Sequence, residues 1–407
     1  MTNFVSELQS SVMANRTAVA LERDDSTTTF SQLWAATNSF AGGLTNRDLS
    51  AGDRVVIHSS NPRAVLIAVY GTLRAGCVPV TVPSSYESWD VRDVLDDTEA
   101  RALVTDASPI MGLLASSEPL RVAVTVDSDA RMGIAFPEFL DNGGMNGSNS
   151  RTGIDVVRRA DDAPGLIAYL ERETDEPLAV VYTHATLQAS ATTGATICRD
   201  EESAALTAHL GACPLSNPIE LLFGANATLI SGGRYRSAAS RDPETIQSLL
   251  VATDVDRAFV TPTQYDALRA SETSMARRGL AIVDGTPATT ADRVAETDDA
   301  VRLVARPETG VTHVRTREDI DAGWLGRPLS GARARTVSGP RGGELAVSGP
   351  GAMDRYYERP ELTDDVTATI DDTRWLRTGV PATDRDGTVF LEERAEEADS
   401  TRETVAM

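Results

Sequence analysis

The residues best suited to chemistry in this sequence lie in the segment YLERETDEPLAVVYTH, residues 169–184. Four carboxylates stand within six positions there, between a strand-like tyrosine and a Thr-His pair: Glu171, Glu173, Asp175 and Glu176. Two like charges about 4 Å apart repel by roughly 1 kcal/mol in water and by roughly 4 kcal/mol at an effective dielectric constant of 20. Because one arginine accompanies the four acids, this loop carries a charge of about −3 and disfavours anionic ligands.

The basic residues of the chain are all arginine. The 407 residues include 38 arginines and no lysine, against 60 aspartates and glutamates. A reaction that needs an ε-amine therefore cannot be carried out by this chain alone. The net charge of −22 disfavours nucleic acid and anionic lipid as partners. This composition resembles that of proteins from salt-accumulating halophiles, and we expect a halophilic protein; a polyanionic binding face is less favoured, because the acids are spread along the whole chain.

Other catalytic and metal-binding signatures are missing from the sequence. The three cysteines are far apart and form no CxxC pair, and the four histidines are scattered, so no metal site is expected. No GxGxxG follows an early strand, and a Walker loop and a GxSxG elbow are also missing, which disfavours a Rossmann-type oxidoreductase. With neither a secretory signal nor an apolar run long enough to span a membrane, we expect a cytoplasmic protein.

Residues 1–160 alternate strand and helix patterns and are predicted to form a first α/β subdomain. Thr29 and Gln32 match a capping box at the start of an amphipathic helix. The apolar run in GDRVVIHSS is typical of a strand buried on both faces, and Asn61-Pro62 then begins a helix. This order indicates βαβ units with parallel pairing. The glycine-rich segment DNGGMNGSNS, residues 141–150, is predicted to be a linker or long loop.

A second α/β subdomain is predicted over residues 161–315. Its helix RDPETIQSLLVA has Asp242 as the N-cap and Pro243 in the first turn, and it leads into the strand of DRAFVTPT. Over residues 316–392 the pattern changes to short strands separated by Gly-Pro and Gly-Gly, which indicates a small β-barrel or sheet. Residues 393–407 are a charged tail that we expect to be frayed.

In their order, several motifs resemble the adenylate-forming acyl-CoA synthetase family of AMP-forming ligases. These motifs are TTFSQL, LSAGDRVVIHSSNP, YGTLRAGCVPVTVP, PLAVVYTH, FVTPTQYDAL, GELAVSGPGAMDRYYERPELT and WLRTGVPATDRDGTVFLEER. The resemblance spans about residues 15 to 394. It implies two α/β subdomains with largely parallel sheets followed by a small β-barrel subdomain, as in the large N-terminal domain of acyl-CoA synthetases. The family activates a carboxylate with ATP to an acyl-adenylate and then transfers the acyl group to a thiol.

The phosphate loop departs from the family pattern. Matches to that pattern fall at Tyr169, Thr174, Pro177, Thr183 and His184. The two loop glycines are replaced by Arg172 and Asp175, the lysine by Leu178 and the glycine after it by Ala179. Glycines there let backbone N–H groups approach phosphate closely, and side chains block that approach. The loop is therefore predicted to be degenerate, which leaves its acids free to serve solubility.

Three more positions bear on the nucleotide and metal. The family's Tyr-Gly-x-Thr-Glu motif falls on Val304–Glu308, where Glu308 is a candidate magnesium-binding remnant and Pro307 replaces a phosphate-contacting hydroxyl. The Thr-Gly-Asp motif ends in Val380, so the ribose-binding carboxylate is missing. Arg394 matches a ribose- or phosphate-contacting arginine, and we favour the alternative of a solvated ion-pair partner. The nucleotide-site remnants are thus Thr174, Glu308 and Arg394.

Two residues could mark the remainder of an active site. His184 matches a position near the active site in the family, but we favour a histidine at a helix start or in the core, fixed by hydrogen bonds. Asn217 falls where the family often has histidine, and the stretch after it is shortened, which affects one wall of the acyl pocket.

The resemblance leads to two functional hypotheses. Family members continue into a mobile C-terminal domain with the adenylation lysine, whereas thirteen residues follow Arg394 here, so the sequence predicts that this domain is absent. The first hypothesis is a catalytically impaired member that binds a small carboxylate or acyl ligand or regulates an active homologue. The alternative is an active carboxylate or fatty acid–CoA ligase subunit that is completed by a separate C-terminal domain and uses ATP and magnesium.

Overall fold

The structure is a computed structural model that describes most of the chain. The described residues are 3–24, 26–106, 119–127, 133–145, 155–172, 176–197, 208–238, 240–252, 255–270, 279–285, 300–321, 323–339 and 342–392. Two predicted nucleotide-site residues, Thr174 and Arg394, lie outside the described residues.

Strands and helices occur throughout the described part of the chain and are joined by turns and loops. The strands are β1 Val19–Arg23, β2 Ser26–Thr29, β3 Arg54–His58, β4 Val78–Thr81, β5 Ala102–Thr105, β6 Val122–Thr125, β7 Ile134–Ala135, β8 Pro164–Tyr169, β9 Ala179–Thr183, β10 Ala208–Gly211, β11 Arg234–Ser237, β12 Arg257–Val260, β13 Leu280–Asp284, β14 Val301–Arg306, β15 Gly310–Arg315, β16 Arg327–Pro328, β17 Arg333–Gly339, β18 Gly342–Ser348, β19 Arg355–Tyr356, β20 Thr367–Ile370, β21 Thr373–Arg385 and β22 Thr388–Leu391. The helices are Val5–Ala14, Phe30–Thr45, Pro62–Arg74, Ser88–Asp97, Phe136–Met145, His184–Gly194, Ala227–Ile230, Pro243–Ala252, Pro262–Ala270, Arg317–Asp321 and Pro360–Val366, with a π-helical segment at Glu220–Asn226.

The first sheet has eight strands in the order β19-β9-β8-β4-β3-β5-β6-β7. Its pairs from β8 to β7 are parallel, while β9 pairs antiparallel with β8 and with β19. Val55, Val56 and Ile57 of β3 are all buried, as expected for a central strand covered on both faces. The parallel βαβ arrangement predicted from the sequence is confirmed.

The second sheet has nine strands in the order β16-β15-β14-β13-β12-β10-β11-β1-β2. Its pairs from β14 to β1 are parallel, and the two edges are antiparallel. The helix Pro62–Arg74 is buried along almost its whole length, and its Tyr70 hydroxyl donates to Asn226 Oδ1 at 2.8 Å. A shared core therefore joins elements of both halves of the chain.

Each of the two large sheets takes strands from both sides of residue 160, the predicted boundary. Strands β1 and β2, from the first thirty residues, belong to the second sheet, while β8 and β9, which follow residue 160, belong to the first. The subdomain boundaries at residues 160, 315 and 392 remain a prediction.

The third region is a curled antiparallel sheet. Its strands are ordered β17-β18-β21-β20, and the 13-residue strand β21 also pairs with β22. This sheet is the small β-rich unit that the sequence predicted as a β-barrel or sheet. The fold class, two mostly parallel α/β layers followed by a small β-rich unit, is confirmed.

Local start signals are confirmed, and one loop prediction is wrong. The Thr29 side chain accepts from the Gln32 amide, and the Gln32 side chain accepts from the Thr29 amide, as a capping box requires.

Residues 141–145, which were predicted to be a linker or loop, are helical within Phe136–Met145, and 146–150 lie outside the described residues. The buried rings of Phe136 and Phe139 pack against Phe40, and this packing holds the helix despite its glycines.

In the described part of the chain, no helix has both the length and the apolar character needed to cross a bilayer.

A candidate ligand-binding cleft

A cleft of about 630 Å³ lies where several strands end. Residues that line it follow the carboxyl ends of β4, β8, β10, β12, β13 and β14. In open α/β sheets, ligands bind outside the carboxyl ends of parallel strands, so the fold itself favours this position. Much of the wall is apolar, and it includes Pro83, Leu178, Pro214, Pro218 and Pro307.

The acidic loop begins at the end of β8, and its described residues lie along the cleft. Glu171, Arg172 and Glu176 line the cleft, and residues 173–175 lie outside the described part. The Glu171 carboxylate accepts a hydrogen bond of 2.5 Å from the Ser85 hydroxyl. One side of the loop is thus joined to the segment after β4 through a carboxylate.

Arg172 is already neutralised by a neighbour. Its guanidinium lies 2.7 Å from an Asp90 carboxylate oxygen and 5.2 Å from the centre of the Tyr86 ring. The Tyr86 hydroxyl in turn donates to the Leu170 carbonyl oxygen at 2.9 Å. Because Asp90 and the ring hold this arginine, it offers little charge to an anion in the cleft.

The predicted lysine and glycine positions are apolar in the structure. Leu178 lines the cleft, and its carbonyl oxygen accepts from the Leu170 amide at 2.9 Å, which closes the base of the loop. Ala179 is the first residue of β9 and is buried. Neither side chain can donate a hydrogen bond to phosphate.

Glu308 lines the cleft at the turn between β14 and β15. Its Oε1 accepts from the Tyr356 hydroxyl at 3.0 Å, and its carbonyl oxygen accepts from the Met353 amide at 2.8 Å. The pKa of Tyr356 is raised by burial and by the Glu308 charge, so this hydroxyl remains a donor. Tyr182 orients the same turn by donating to the Pro307 carbonyl oxygen at 2.6 Å.

Arg306 lies at the end of β14 and was not singled out from the sequence. Its Nε donates to the Gly285 carbonyl oxygen at 2.5 Å, and its Nη1 donates to the Thr378 carbonyl oxygen at 2.6 Å. The side chain therefore joins the second sheet to the curled sheet along one wall of the cleft. Within the described residues it has no carboxylate partner within 4 Å.

Position 380, where the family resemblance requires a ribose-binding carboxylate, holds a buried valine. Val380 is only 6% exposed. The residues around it are fixed: the Thr378 hydroxyl donates to the Leu345 carbonyl oxygen at 2.8 Å, and the Gly379 amide donates to Glu344 Oε1 at 2.7 Å. Gly379 has a φ of +68°, a conformation that favours glycine.

His184 is the first residue of its helix and is only 2% exposed. Burial lowers its pKa to about 4, so it is neutral near pH 7. Among the described residues its Nδ1 has no hydrogen-bond partner, and the side chain does not line the cleft. Its role as an active-site remnant stays a prediction.

Asn217 lines the cleft and begins a helical segment. Its Oδ1 accepts from the Ile219 amide at 2.9 Å. Residues 220–226 continue as a π-helix, in which every residue is buried.

Beneath this π-helix lies a buried polar cluster that sequence reasoning missed. It consists of His209, Glu220, Tyr235 and Arg257, each at most 2% exposed. Arg257 Nε lies 3.0 Å from His209 Nδ1, His209 Nε2 lies 2.9 Å from Glu220 Oε1, and the Tyr235 hydroxyl donates to the same oxygen at 3.1 Å. Burial lowers the pKa of His209, which fits a neutral ring that accepts at Nδ1 and donates at Nε2. The sequence signal that could have found this cluster is the presence of His209 and Arg257 in otherwise apolar strands.

A search of the described residues finds no group of three or more His, Cys, Asp or Glu side chains arranged to hold a metal ion. The magnesium candidate that the family resemblance supplies, Glu308, lies in the cleft lining.

Comparison with known proteins identifies the class to which this fold and cleft belong. The family described as AMP-binding enzyme matches residues 8–357, and the chain belongs to that family. Feruloyl-CoA synthase of an Amycolatopsis species is 23% identical over 397 residues, which cover 93% of this chain and 75% of that protein. Tyrocidine synthase 3 of Brevibacillus parabrevis is 24% identical over 378 residues, 84% of this chain but only 5% of that much longer protein.

Solved structures agree on the fold. The N-terminal domain of FACL13 from Mycobacterium tuberculosis superposes with a TM-score of 0.78 at 20% identity, covering 97% of this chain and all of that chain. ATP-bound MatB from Rhodopseudomonas palustris gives a TM-score of 0.78 at 21% identity, covering 96% of this chain and 78% of that chain. The chain is thus an acyl-CoA synthetase-like member of the AMP-binding family.

Proposed function

We propose that this chain is a catalytically impaired member of its family that does not form acyl-adenylates. In this proposal the cleft binds a small carboxylate or acyl ligand, and the protein acts through that ligand or by regulating an active homologue.

The observation that carries the proposal is the arrangement beside Thr378. Val380 is buried where the resemblance requires a carboxylate, and the Arg306 guanidinium lies beside it, bonded to the Thr378 carbonyl oxygen. An aliphatic side chain cannot accept hydrogen bonds from ribose hydroxyls. These residues do not fit a nucleotide of the kind that the family uses.

The charge of the cleft supports the same conclusion. Glu171, Glu176 and Glu308 line it against one arginine, Arg306, while Arg172 is paired with Asp90. A triphosphate at this position would meet three carboxylates against one guanidinium, without a lysine to offset them. Two like unit charges about 4 Å apart repel by roughly 1 kcal/mol in water and by roughly 4 kcal/mol in a partly buried site. Salt would weaken this repulsion but would not supply the missing donors.

Pyrophosphate exchange tests the proposal. The protein is incubated with ATP, magnesium, labelled pyrophosphate and a panel of carboxylic acids, at low salt and in multimolar KCl. We expect no exchange above the level without protein for any acid, because the cleft does not hold the triphosphate. An active AMP-forming ligase run in the same buffers provides the positive control. Exchange that depends on one of the acids would contradict the proposal.

A second candidate function is favoured by one observation. Glu308 lines the cleft and is held by Tyr356, as a retained magnesium ligand would be. The chain would then be an active carboxylate–CoA ligase subunit that uses ATP and magnesium and receives its adenylation lysine from a separate C-terminal domain. A C-terminal domain from a relative, added in trans, tests this candidate. Exchange that appears on addition and disappears in Glu308→Gln would favour it over the first proposal.

We also propose that the protein is adapted to high salt, on the basis of its net charge of −22 and its lack of lysine. High salt screens repulsion between surface carboxylates. The melting temperature is therefore expected to rise between 0.1 and 3 M KCl, and a fall over that range would contradict the proposal.

A further inference from the structure

Strand β17 forms an open edge of the curled sheet in the described part of the chain. In the order β17-β18-β21-β20 its neighbour is β18, with which residues 333–339 pair along their whole length. Within the described residues, no backbone hydrogen bond outside that ladder involves residues 333–339. Alternate N–H and C=O groups of an edge strand point away from its neighbour, so β17 offers a row of backbone donors and acceptors.

The charge at this edge is opposite in sign to that of the whole chain. Residues 322–343 contain four arginines and no acidic residue, whereas 60 of the 407 residues of the chain are aspartate or glutamate. Arg333 and Arg335 stand two positions apart on β17, so both side chains lie on one face of the sheet. This acidic protein therefore has a short positive stretch where its sheet can accept another strand.

The two arginines of β17 are not neutralised by close carboxylates. Among the described residues, Arg333 has no ion pair within 4 Å. Arg335 lies 3.8 Å from Asp371, whose side chain is 91% exposed, and such a surface pair contributes little. By contrast, Arg377, two strands away on β21, lies 2.8 Å from Glu344. The positive charge of this face is thus compensated within the sheet and left available at its edge.

The aromatic ring of Trp375 holds Arg335 in place. The guanidinium carbon lies 5.4 Å from the centre of that ring, which is a cation–π arrangement, and Trp375 is buried. A guanidinium that is positioned in advance loses less side-chain freedom on binding, and its paired N–H donors match the two oxygens of a carboxylate. Charges on edge strands also prevent unwanted pairing, but carboxylates would do so equally well in this chain.

We propose that β17 is a docking edge for an extended, acidic segment of another protein, which adds to the curled sheet as a further strand. Backbone hydrogen bonds to β17 hold the segment, and carboxylates two positions apart in it face Arg333 and Arg335. A second copy of β17 does not fit this position, because its own arginines would oppose these two. Salt screens the longer-range repulsion between the acidic partner and the remainder of this chain. The proposal is independent of whether the cleft binds or activates a ligand.

Fluorescence anisotropy with labelled synthetic peptides and the full chain, in 0.3 M KCl, tests the proposal. The acidic probe alternates glutamate and threonine over eight residues. One comparison peptide has glutamine in place of glutamate, and the other carries a methyl group on every peptide nitrogen. Each comparison peptide is expected to bind at least tenfold more weakly than the acidic probe, because the first lacks the carboxylates and the second lacks the backbone donors.

Variants of the arginines locate the binding site. The double variant with Arg333→Gln and Arg335→Gln is expected to weaken binding of the acidic probe at least tenfold. Arg327→Gln is the matched control, since Arg327 is exposed and belongs to the same stretch without acids but lies on β16 of the second sheet; its loss should change the affinity less than twofold. If the double variant does not fold, Arg333→Glu at the exposed position keeps the test decisive and is expected to abolish binding.

Three results would overturn the proposal directly: no binding of the acidic probe, equal binding of the methylated peptide, or unchanged affinity in a folded arginine variant. Two further results would assign the edge to another occupant and overturn it as well. A dimer of the full chain that dissociates in Arg333→Glu would place a second copy there. Probe binding that becomes at least tenfold tighter when Glu393, Glu396 and Glu397 are replaced by glutamine would place the chain's own C-terminal residues there.

Discussion

The buried cluster and the cleft each contain an arginine and a glutamate, and these charges are paired in different ways in the two regions. In the buried cluster beneath the π-helix, Arg257 and Glu220 are linked through the neutral ring of His209. In the cleft, Arg306 and Glu308 are two residues apart in the chain, yet each bonds to other groups.

The difference follows from access to water. A charge buried in the core must be compensated within the protein, because its desolvation costs several kcal/mol. A charge in an open cleft keeps part of its solvation and stays available to a ligand. The comparison predicts that changes in the cluster will affect stability and changes in the cleft will affect binding.

Loss of one charge from the cluster should have the largest effect. Arg257→Leu leaves Glu220 buried without its counter-charge and is expected to lower the free energy of unfolding by about 3–5 kcal/mol. Denaturant titration measures the change. The exposed Arg327→Gln is the control, and it should stay within about 0.5 kcal/mol of the parent. A loss below 1 kcal/mol for Arg257→Leu would show that the cluster does not depend on the pairing.

Acid should weaken the core before it affects the cleft. Burial lowers the pKa of His184 and His313 to about 4, below the model-peptide value of about 6.5. Their neutral forms therefore contribute stability that is fully present above pH 6.5 and is lost as the pH falls from 6.5 towards 4. Each histidine should cost about 1 kcal/mol between pH 6.5 and 5.5, or about 2 kcal/mol for the pair.

Denaturant titrations at several pH values check this effect. Stability that is constant from pH 6.5 to 5.5 would contradict the prediction. Since the described cleft lining contains no histidine, ligand binding in the cleft should change little over the same range.

Two glycines offer a smaller, matched test. A Cβ at Gly194 would lie 2.5 Å from the Phe223 carbonyl oxygen, next to the cluster, whereas a Cβ at Gly285, in the cleft, meets nothing closer than 3.7 Å. Gly194→Ala is expected to cost about 1–3 kcal/mol because backbone must move, and Gly285→Ala less than about 0.5 kcal/mol. Thermal melts compare the two, and equal losses would break the contrast between the regions.

Arg306→Gln is expected to affect stability much less than Arg257→Leu. The change removes hydrogen bonds to two carbonyl oxygens, but Arg306 is only half-buried and glutamine can replace one of the bonds. We expect a loss of about 1 kcal/mol in the free energy of unfolding. A loss as large as that of Arg257→Leu would assign Arg306 a structural role like that of the cluster.

Much of the fold could be predicted because its signals are local. The capping box of Thr29 and Gln32, the N-cap Asn61 and the N-cap Asp242 lie within three residues of the amides that they accept from. The error at residues 141–145 has a different origin. Glycine content indicated a loop, but packing of Phe136 and Phe139 against another helix outweighed that local preference.

The site was predictable only where it matched a motif. Glu308 and Val380 fall within recognisable segments, and Glu308 does line the cleft. Arg306 could be recognised as part of the cleft wall only from its hydrogen bond to Thr378, which is 72 residues away. The residues of the buried cluster come from four separate elements. Periodicity and short motifs do not report such long-range pairs.

Direct titration of the protein with ATP and magnesium, followed by calorimetry in 1 M KCl, tests whether the cleft excludes the nucleotide. We expect no saturable heat at millimolar ATP. Binding with a dissociation constant below about 0.1 mM that is lost in Glu308→Gln would contradict it, because the cleft would then hold the nucleotide that its residues are proposed to exclude.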